Sequence, residues 1–252
     1  KLDFADIEGI KWLECPEIIP TVEPPDLDLP PAGPSVLRLS VTDLTESELE
    51  KHQTPLPPTL KKLSPLEAGL VVHQCLQRGL VSPSHKQILW FALIIFFDHD
   101  SALEDAETLR KFLANASKSI AWRCAQIAPQ KWPELDFHVR LTPHDGHLPI
   151  ELVGRWDLLV KGDEWLVVDF KTDKVTSLED AKSRVDNRYL LQGKAYALAV
   201  HRVFNADLVK VLFVFVNSPE PIEIELQFTS SDWEEITEIL CQKSLRYINE
   251  AQ

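Results

Sequence analysis

Two acidic residues and a lysine occur where an apolar hairpin would give them no structural role. Asp157 lies in the apolar segment 152–160, and Asp169 and Lys171 lie at the end of the segment 165–170. The turn-forming sequence Lys-Gly-Asp-Glu separates the two segments, which predicts a β-hairpin with both aspartates side by side near one end. Asp169 and Lys171 are two residues apart, so they would project from the same face of the second strand. A divalent cation with a nearby nucleophilic water would explain this combination.

The carboxylate of Asp169 needs a positive partner. Its apolar neighbours predict a buried strand, and a buried, unpaired carboxylate is energetically costly. An ion pair with Lys171 or Arg155 would satisfy it, and so would a hard cation such as Mg²⁺ or Mn²⁺. In the metal hypothesis the backbone carbonyl of Phe170 could add a ligand, while Lys171 would orient the metal-bound water or stabilise charge on a phosphate. Asp157 also has a structural alternative, as a polar residue at a strand end.

Two predicted helices could supply further side chains. Gln192 and Tyr196 are spaced i, i+4 and therefore share one helix face. A tyrosine on an apolar helix face is equally typical of a core residue. His73 lies among apolar residues in another helix, where it faces either the core or a site. The other histidines show no paired ligand spacing.

The elements that would position these residues follow an α/β order. The sequence Ser-Pro-Leu-Glu at residues 64–67 indicates a helix start, with serine as the N-cap. Residues 36–44 favour a strand or a helix lead-in. The whole order predicts a mixed α/β fold with a central mixed β-sheet, including a three-strand meander, flanked by helices. The predicted helices cover residues 65–77, 84–97, 102–127, 178–203 and 231–248, and the predicted strands cover residues 135–141, 152–160, 165–170, 209–217 and 222–228.

Charge and proline content divide the chain into two predicted parts. Residues 1–35 are acidic and rich in proline, which indicates an arm or linker, and residues 36–252 would form one large domain. The net charge is −13, but residues 1–50 alone contain twelve acidic and three basic residues. Residues 155–210 contain ten basic and nine acidic residues. The acidic net charge therefore does not exclude a nucleic-acid partner.

Composition also bears on compartment and cofactors. The longest apolar run, residues 88–97, is too short to span a membrane, and no signal peptide is recognisable. The four cysteines are scattered without C-x-x-C spacing, so we expect reduced thiols in a cytoplasmic protein and no iron–sulfur cluster. Since the chain begins with Lys1 and contains no methionine, we expect it to be a fragment of a longer protein.

Taken together, these motifs resemble the PD-(D/E)XK nuclease superfamily. The nearest likeness is to the RecB-type and AddA-type nuclease domains of bacterial helicase–nucleases, whose pattern reads G-R-x-D, D-Y/F-K-T and Q-x-x-x-Y. Here these motifs are Gly-Arg-Trp-Asp at 154–157, Asp-Phe-Lys-Thr at 169–172, and Gln192 with Tyr196. The family also has an upstream histidine ligand in a G-x-x-V/L-H-like segment, which residues 69–73 fit. Tryptophan at position 156 departs from the usual aliphatic residue, and Glu134 is left outside the expected site.

The resemblance implies a restriction-endonuclease-like core over residues 36–252 and a Mg²⁺- or Mn²⁺-dependent DNA nuclease that acts as an exonuclease. It also implies a role at DNA ends in recombination and repair. The expected partner is a helicase motor, either in the same polypeptide or in another subunit, and no membrane partner is expected. The chain has no G-x-x-x-x-G-K-S/T phosphate loop, so an ATPase would lie outside it. Two alternatives are a catalytically inactive nuclease-like domain that binds DNA or a partner, and an acidic interaction module. The implied metal ligands are His73, Asp157, Asp169 and the Phe170 carbonyl, and the implied catalytic residues are Asp157, Asp169, Lys171, Gln192 and Tyr196.

Overall fold

The computed structural model describes residues 37–45, 60–96, 99–142 and 149–250. The predicted arm at residues 1–35 and the proline-rich loop at residues 54–58 lie outside these ranges. Across the described ranges, no helix is long and apolar enough to cross a membrane. The helices are α1 (Pro65–Gln77), α2 (His85–Phe96), α3 (His99–Lys118), α4 (Ile120–Ile127), α5 (Leu178–Arg184), α6 (Leu190–Phe204) and α7 (Trp233–Glu250), and the strands are β1 (Leu37–Ser40), β2 (Gln130–Leu141), β3 (Ile150–Lys161), β4 (Trp165–Lys174), β5 (Leu208–Asn217) and β6 (Ile222–Thr229).

The strands form one mixed six-stranded sheet in the order β1-β3-β4-β5-β6, with β2 paired to the β3 strand as well. The β2, β3 and β4 strands are antiparallel neighbours, whereas β1 is parallel to β3 and β5 is parallel to β4. One sheet face packs against α6 and α7, and the other packs against α1, α2, α3 and α4. The predicted mixed sheet with a meander and flanking helices is therefore confirmed.

The β3 strand changes its neighbour partway along one edge. Residues 158–161 pair with β4, whereas residues 150–153 pair with β1. The pairing with β4 ends at the Leu158–Val168 pair. The next residue outward is Asp157 on β3 and Asp169 on β4. The two aspartates thus occupy the next facing positions, where the β3–β4 ladder has ended. Because the strands no longer bond to each other there, the sheet leaves space for other groups.

Gly154 lies on β3 between the segment that pairs with β1 and the segment that pairs with β4. A Cβ atom on Gly154 would lie 2.6 Å from Cζ of Phe137 and 2.9 Å from Cγ2 of Val41. Both neighbours are buried core residues, so neither can move away without repacking. This close approach explains why glycine precedes the Arg-Trp-Asp sequence.

Gly154→Ala is expected to lower the free energy of unfolding by about 1–3 kcal/mol, the usual cost of overpacking a core. Urea unfolding followed by circular dichroism would measure it. Gly162→Ala is the matched control, since a Cβ atom there has no neighbour within 4 Å. Equal stability of the two variants would contradict the steric explanation.

Three element boundaries differ from the sequence predictions. The helix predicted over residues 102–127 is two helices, because Ser119 takes an extended conformation and its side chain accepts a hydrogen bond from the Trp122 N–H to cap α4. The helix predicted over residues 178–203 contains a π-helical turn at Val185–Tyr189. The β2 strand begins at Gln130 and not at residue 135 as predicted, so Pro133 lies within the strand.

Candidate active site

The α1 helix brings His73 to the place where β3 and β4 separate. Its start is fixed by a capping box, in which the Ser64 hydroxyl accepts from the Glu67 N–H at 3.3 Å and the Glu67 carboxylate accepts from the Ser64 N–H at 2.7 Å. The face of α1 that includes Val72 and Cys75 is fully buried, and the helix contacts β2, β3 and β4. The His73 side chain is only 25% exposed and reaches one carboxylate on β2 and one on β3.

A histidine and two carboxylates converge at this point. Nδ1 of His73 lies 3.4 Å from Oδ1 of Asp157 and 3.6 Å from Oε1 of Glu134. One ligand atom from each of the three side chains lies within 4.8 Å of the others, and all three residues are partly buried. One imidazole nitrogen and two carboxylate oxygens form a suitable donor set for a divalent cation.

Glu134 is the site residue that the sequence interpretation leaves out. The antiparallel register places it opposite Asp157, between the Pro133–Leu158 and Leu135–Trp156 pairs. Its φ of 50° is positive, which is uncommon for a residue other than glycine and often marks a functional site. The sequence interpretation starts β2 after Glu134. Extending the strand pairing back through Pro133 would have placed Glu134 beside Asp157.

Asp157 also holds the two separating strands together. Its Oδ2 accepts a hydrogen bond from the Phe170 backbone N–H at 2.8 Å, while its Oδ1 faces His73. This side-chain bond replaces the backbone ladder that ended one residue earlier. Asp157 therefore lies in a fixed orientation with one oxygen directed toward the His73 and Glu134 cluster. The Phe170 carbonyl stays a predicted ligand.

Asp169 is almost fully buried, at 2% exposure. Its Oδ1 lies 3.0 Å from Nζ of Lys171, whereas its Oδ2 is buried and has no hydrogen-bond partner within the described part of the chain. Arg155, the other cation that the sequence offered, instead binds Asp136 with Nε and Oδ1 2.6 Å apart. A buried carboxylate oxygen without a partner costs free energy, and a bound cation would remove that cost.

Lys171 is held in place from several sides. Its Nζ donates to Oε1 of Gln192 at 2.9 Å, and Nε2 of Gln192 donates to the Tyr196 hydroxyl at 2.9 Å. The same ammonium lies 4.3 Å from the ring centroid of Tyr189, a distance typical of a cation–π contact. The Tyr189 hydroxyl in turn donates to Oδ2 of Asp173 at 2.7 Å. The structure thus brings the predicted Gln192 side chain to the lysine, and the predicted Tyr196 side chain to Gln192.

The buried acids change the titration of their neighbours. Burial alone lowers the pKa of His73, but the charge of Asp157, a hydrogen bond that the ring donates to the Glu134 carboxylate, and the charge of Glu134 outweigh it and raise that pKa to about 9. Burial is the main reason why the pKa of Asp157 is raised, although His73 opposes the rise. The cluster thus favours one bound positive charge. A proton on His73 supplies it when no metal is bound.

Metal affinity is expected to rise with pH up to about pH 9, because a cation must displace the proton from His73 before the ring can coordinate it. Below that pKa, each pH unit should change the apparent affinity by about tenfold for one displaced proton. Isothermal titration of Mn²⁺ in two buffers of different ionisation enthalpy would measure the released proton. His73→Gln should bind more weakly and lose most of this dependence, and an unchanged pH profile in that variant would argue against His73 as a ligand.

A mixed sheet that holds two carboxylates and a lysine where two strands separate is typical of metal-dependent nucleases. The chain belongs to the PD-(D/E)XK nuclease superfamily, whose family model matches residues 48–252. Members of this superfamily typically hydrolyse phosphodiester bonds with the help of divalent metal ions.

No curated protein matches the chain. A solved structure described as "Crystal structure of SSO0001" aligns at 14% identity with a TM-score of 0.38, covering 87% of this chain and 80% of that one. Membership of the superfamily therefore rests on the family match.

Proposed function

We propose that the chain is a metal-dependent deoxyribonuclease that uses Mg²⁺ or Mn²⁺ and degrades DNA from its ends. The observation that carries this proposal is the cluster of His73, Glu134 and Asp157 beside Asp169, whose Oδ2 is buried without a partner. The superfamily supports phosphodiester hydrolysis. DNA as the substrate and the exonuclease mode are supported by the likeness to RecB-type domains.

The residues present suit a divalent cation. His73, Glu134, Asp157 and Asp169 would hold it, with the Phe170 carbonyl as a further ligand. Carboxylate and carbonyl oxygens favour Mg²⁺ and Mn²⁺, and the imidazole nitrogen is better tolerated by Mn²⁺. When bound, the cation would polarise a phosphate oxygen and lower the pKa of a coordinated water.

Lys171 would act on the attacking water or on the phosphate. An ammonium group has three N–H donors, and contacts with Asp169 Oδ1 and Gln192 Oε1 account for two of them. The third can donate to a water or to a phosphate oxygen that gains negative charge in the transition state. Gln192 and Tyr196 would act by holding the lysine in this orientation.

The likeness to RecB-type and AddA-type domains supports a cellular role as well. We propose that residues 36–252 are the nuclease domain of a cytoplasmic helicase–nuclease, and that residues 1–35 tether it to the motor. The motor would lie in the same polypeptide or in a partner subunit. In this setting the domain would process DNA ends during recombination and repair.

The decisive experiment is incubation of the chain with end-labelled single-stranded and double-stranded DNA, with and without Mg²⁺ or Mn²⁺. Metal-dependent release of short products from the labelled end is expected, and Lys171→Ala should lose it. Tight DNA binding without any metal-dependent degradation would favour the inactive nuclease-like domain. Absence of a metal-induced rise in Tm would favour the acidic interaction module, since a bound ligand stabilises the folded state.

A further inference from the structure

Tyr189 is a buried aromatic residue beside the Lys171 ammonium that the proposed mechanism leaves unused. It is 3% exposed, and its ring centroid lies 4.3 Å from Nζ of Lys171. The Phe213 ring lies 5.7 Å from the same atom and stacks on Tyr189, with centroids 5.6 Å apart and planes inclined by 26°. The face of an aromatic ring attracts a cation at such distances. The ammonium therefore has an aromatic contact in addition to its contacts with Asp169 and Gln192.

The hydroxyl group of Tyr189 holds the ring in place. It donates to Oδ2 of Asp173 at 2.7 Å. The other oxygen of Asp173 lies near two guanidinium groups, with Nη1 of Arg188 at 3.0 Å and Nη1 of Arg184 at 3.6 Å. A hydrogen bond to a carboxylate is stronger than one between neutral groups. This bond fixes the far end of the ring, and stacking on Phe213 limits rotation of the ring about its own axis.

A π-helical turn presents Tyr189 on the same side as Gln192. The turn covers Val185–Tyr189 and leads directly into α6. Its i→i+5 bonds take more residues than an α-helical turn, which rotates the side chains that follow, and such turns are frequent at functional sites. Tyr189 and Gln192 are three residues apart, so their side chains are neighbours on the helix surface. Both of them contact Lys171.

We propose that Tyr189 is a positioning residue for catalysis, whose ring face holds the Lys171 ammonium in the orientation that the attacking water or the phosphate requires. This inference rests on the proposed nuclease function and adds a residue to its machinery. The ring attracts the ammonium as a whole charge, so it can restrain the group without accepting one of its three N–H bonds. The N–H that does not face Asp169 or Gln192 thus stays available to the reactants.

A role for Tyr189 in packing alone would make different demands on the ring. Packing depends on the shape of the ring, whereas attraction of a cation depends on the negative charge of its face. Fluorine atoms on a phenylalanine ring withdraw this charge and change the shape little. Phenylalanine and a series of progressively fluorinated phenylalanines, introduced at position 189 of the full chain by nonsense suppression, therefore separate the two roles.

Thermal unfolding of the metal-free series tests the contact without any DNA. The Tm should fall with each added fluorine, because the folded state loses attraction between the ring and the ammonium. Arg188 also lies over the Tyr189 ring, with its Cζ 5.2 Å from the centroid, so the series is repeated in chains that carry Lys171→Met. The dependence on fluorine should become much weaker there. An equal dependence with and without Lys171, or none in either background, would overturn the proposal.

Cleavage rates of the same chains test the consequence for the reaction. At saturating Mn²⁺, kcat should fall along the series and be about 10–100-fold lower in Tyr189→Leu, while KM and the metal-induced rise in Tm are kept. The matched control is Phe228→Leu, which also removes a buried ring. Phe228 lies on β6 opposite Val209, far along the sheet from the Phe215 position that pairs with Lys171. This variant should keep the kcat of the unsubstituted chain.

The two measurements separate failure of this proposal from failure of the nuclease function. If the unsubstituted chain cleaves DNA and kcat stays constant along the fluorinated series, the positioning role is overturned and the nuclease function stands. If the Tm of the series depends on Lys171 while the unsubstituted chain cleaves no DNA, the restraint on the lysine is supported and the nuclease function fails. Because the fluorinated chains keep the shape of the ring, neither result depends on whether Tyr189→Leu folds.

Discussion

Asp169→Ala is expected to lower metal-dependent DNA cleavage by more than about 10²-fold, since even residues outside the immediate ligands of a metal site can contribute 10–100-fold. The substitution removes a buried carboxylate whose Oδ2 has no partner and is available to a cation. It also removes the carboxylate that holds the Lys171 ammonium 3.0 Å away. Initial rates on end-labelled DNA at saturating Mn²⁺ would measure the loss.

Asp136→Ala is the matched control for that experiment. Its carboxylate lies on β2, two residues from Glu134, and its side chain is 72% exposed and paired with Arg155. We expect this variant to keep nearly full activity and the same fold. Circular dichroism would show that Asp169→Ala also remains folded. Cleavage by folded Asp169→Ala at the rate of the control would remove Asp169 from the mechanism.

Lys171→Met is expected to lower kcat by about 10²–10⁴-fold, the usual contribution of a group that assists proton transfer. Methionine keeps much of the side-chain length and packs against the Tyr189 and Phe213 rings, but it cannot donate a hydrogen bond to water or phosphate. The metal-induced rise in Tm should persist, because Lys171 is not a ligand. A variant that loses metal binding while cleaving normally at high metal concentration would contradict the assigned role.

Lys171→Met also leaves the buried Asp169 carboxylate without its cation. Removing one partner of a buried ion pair typically destabilises a protein by about 3–5 kcal/mol. The double variant Asp169→Asn/Lys171→Met removes both charges, so we expect it to recover most of that stability while remaining inactive. Urea unfolding of the metal-free single and double variants would compare them. Equal stability of the two would show that the ion pair is not what neutralises Asp169.

Local patterns in the sequence were enough to predict much of the fold. The Ser64 capping box and the glycine at position 79 mark the ends of α1 because each acts on the residues next to it. The meander followed from apolar segments and turn residues. The break at Ser119 was missed because a serine between two amphipathic helices can lie within a helix or cap the next one, and burial against distant residues decides which.

In the candidate site, too, some features follow from the local sequence and others depend on distant residues. The equal spacing of Asp157 and Asp169 from the hairpin turn predicts their proximity, since antiparallel pairing follows from the turn. Nothing in that spacing shows that the β3–β4 ladder ends at Leu158. Nor does it show that Glu134 completes the cluster. The position of Glu134 beside Asp157 depends on the register between β2 and β3.

By itself, the sequence determined the class of protein, a mixed α/β domain of a nuclease superfamily. It also predicted the side chains of the candidate site, which are two carboxylates, a lysine and an upstream histidine. Only the tertiary structure decided that Glu134 joins them, and that Asp169 pairs with Lys171 and not with Arg155. The physical reason is the range of the forces involved. Helix caps and turns act between neighbouring residues, whereas strand register, burial and ion-pair choice depend on residues brought together from distant parts of the chain.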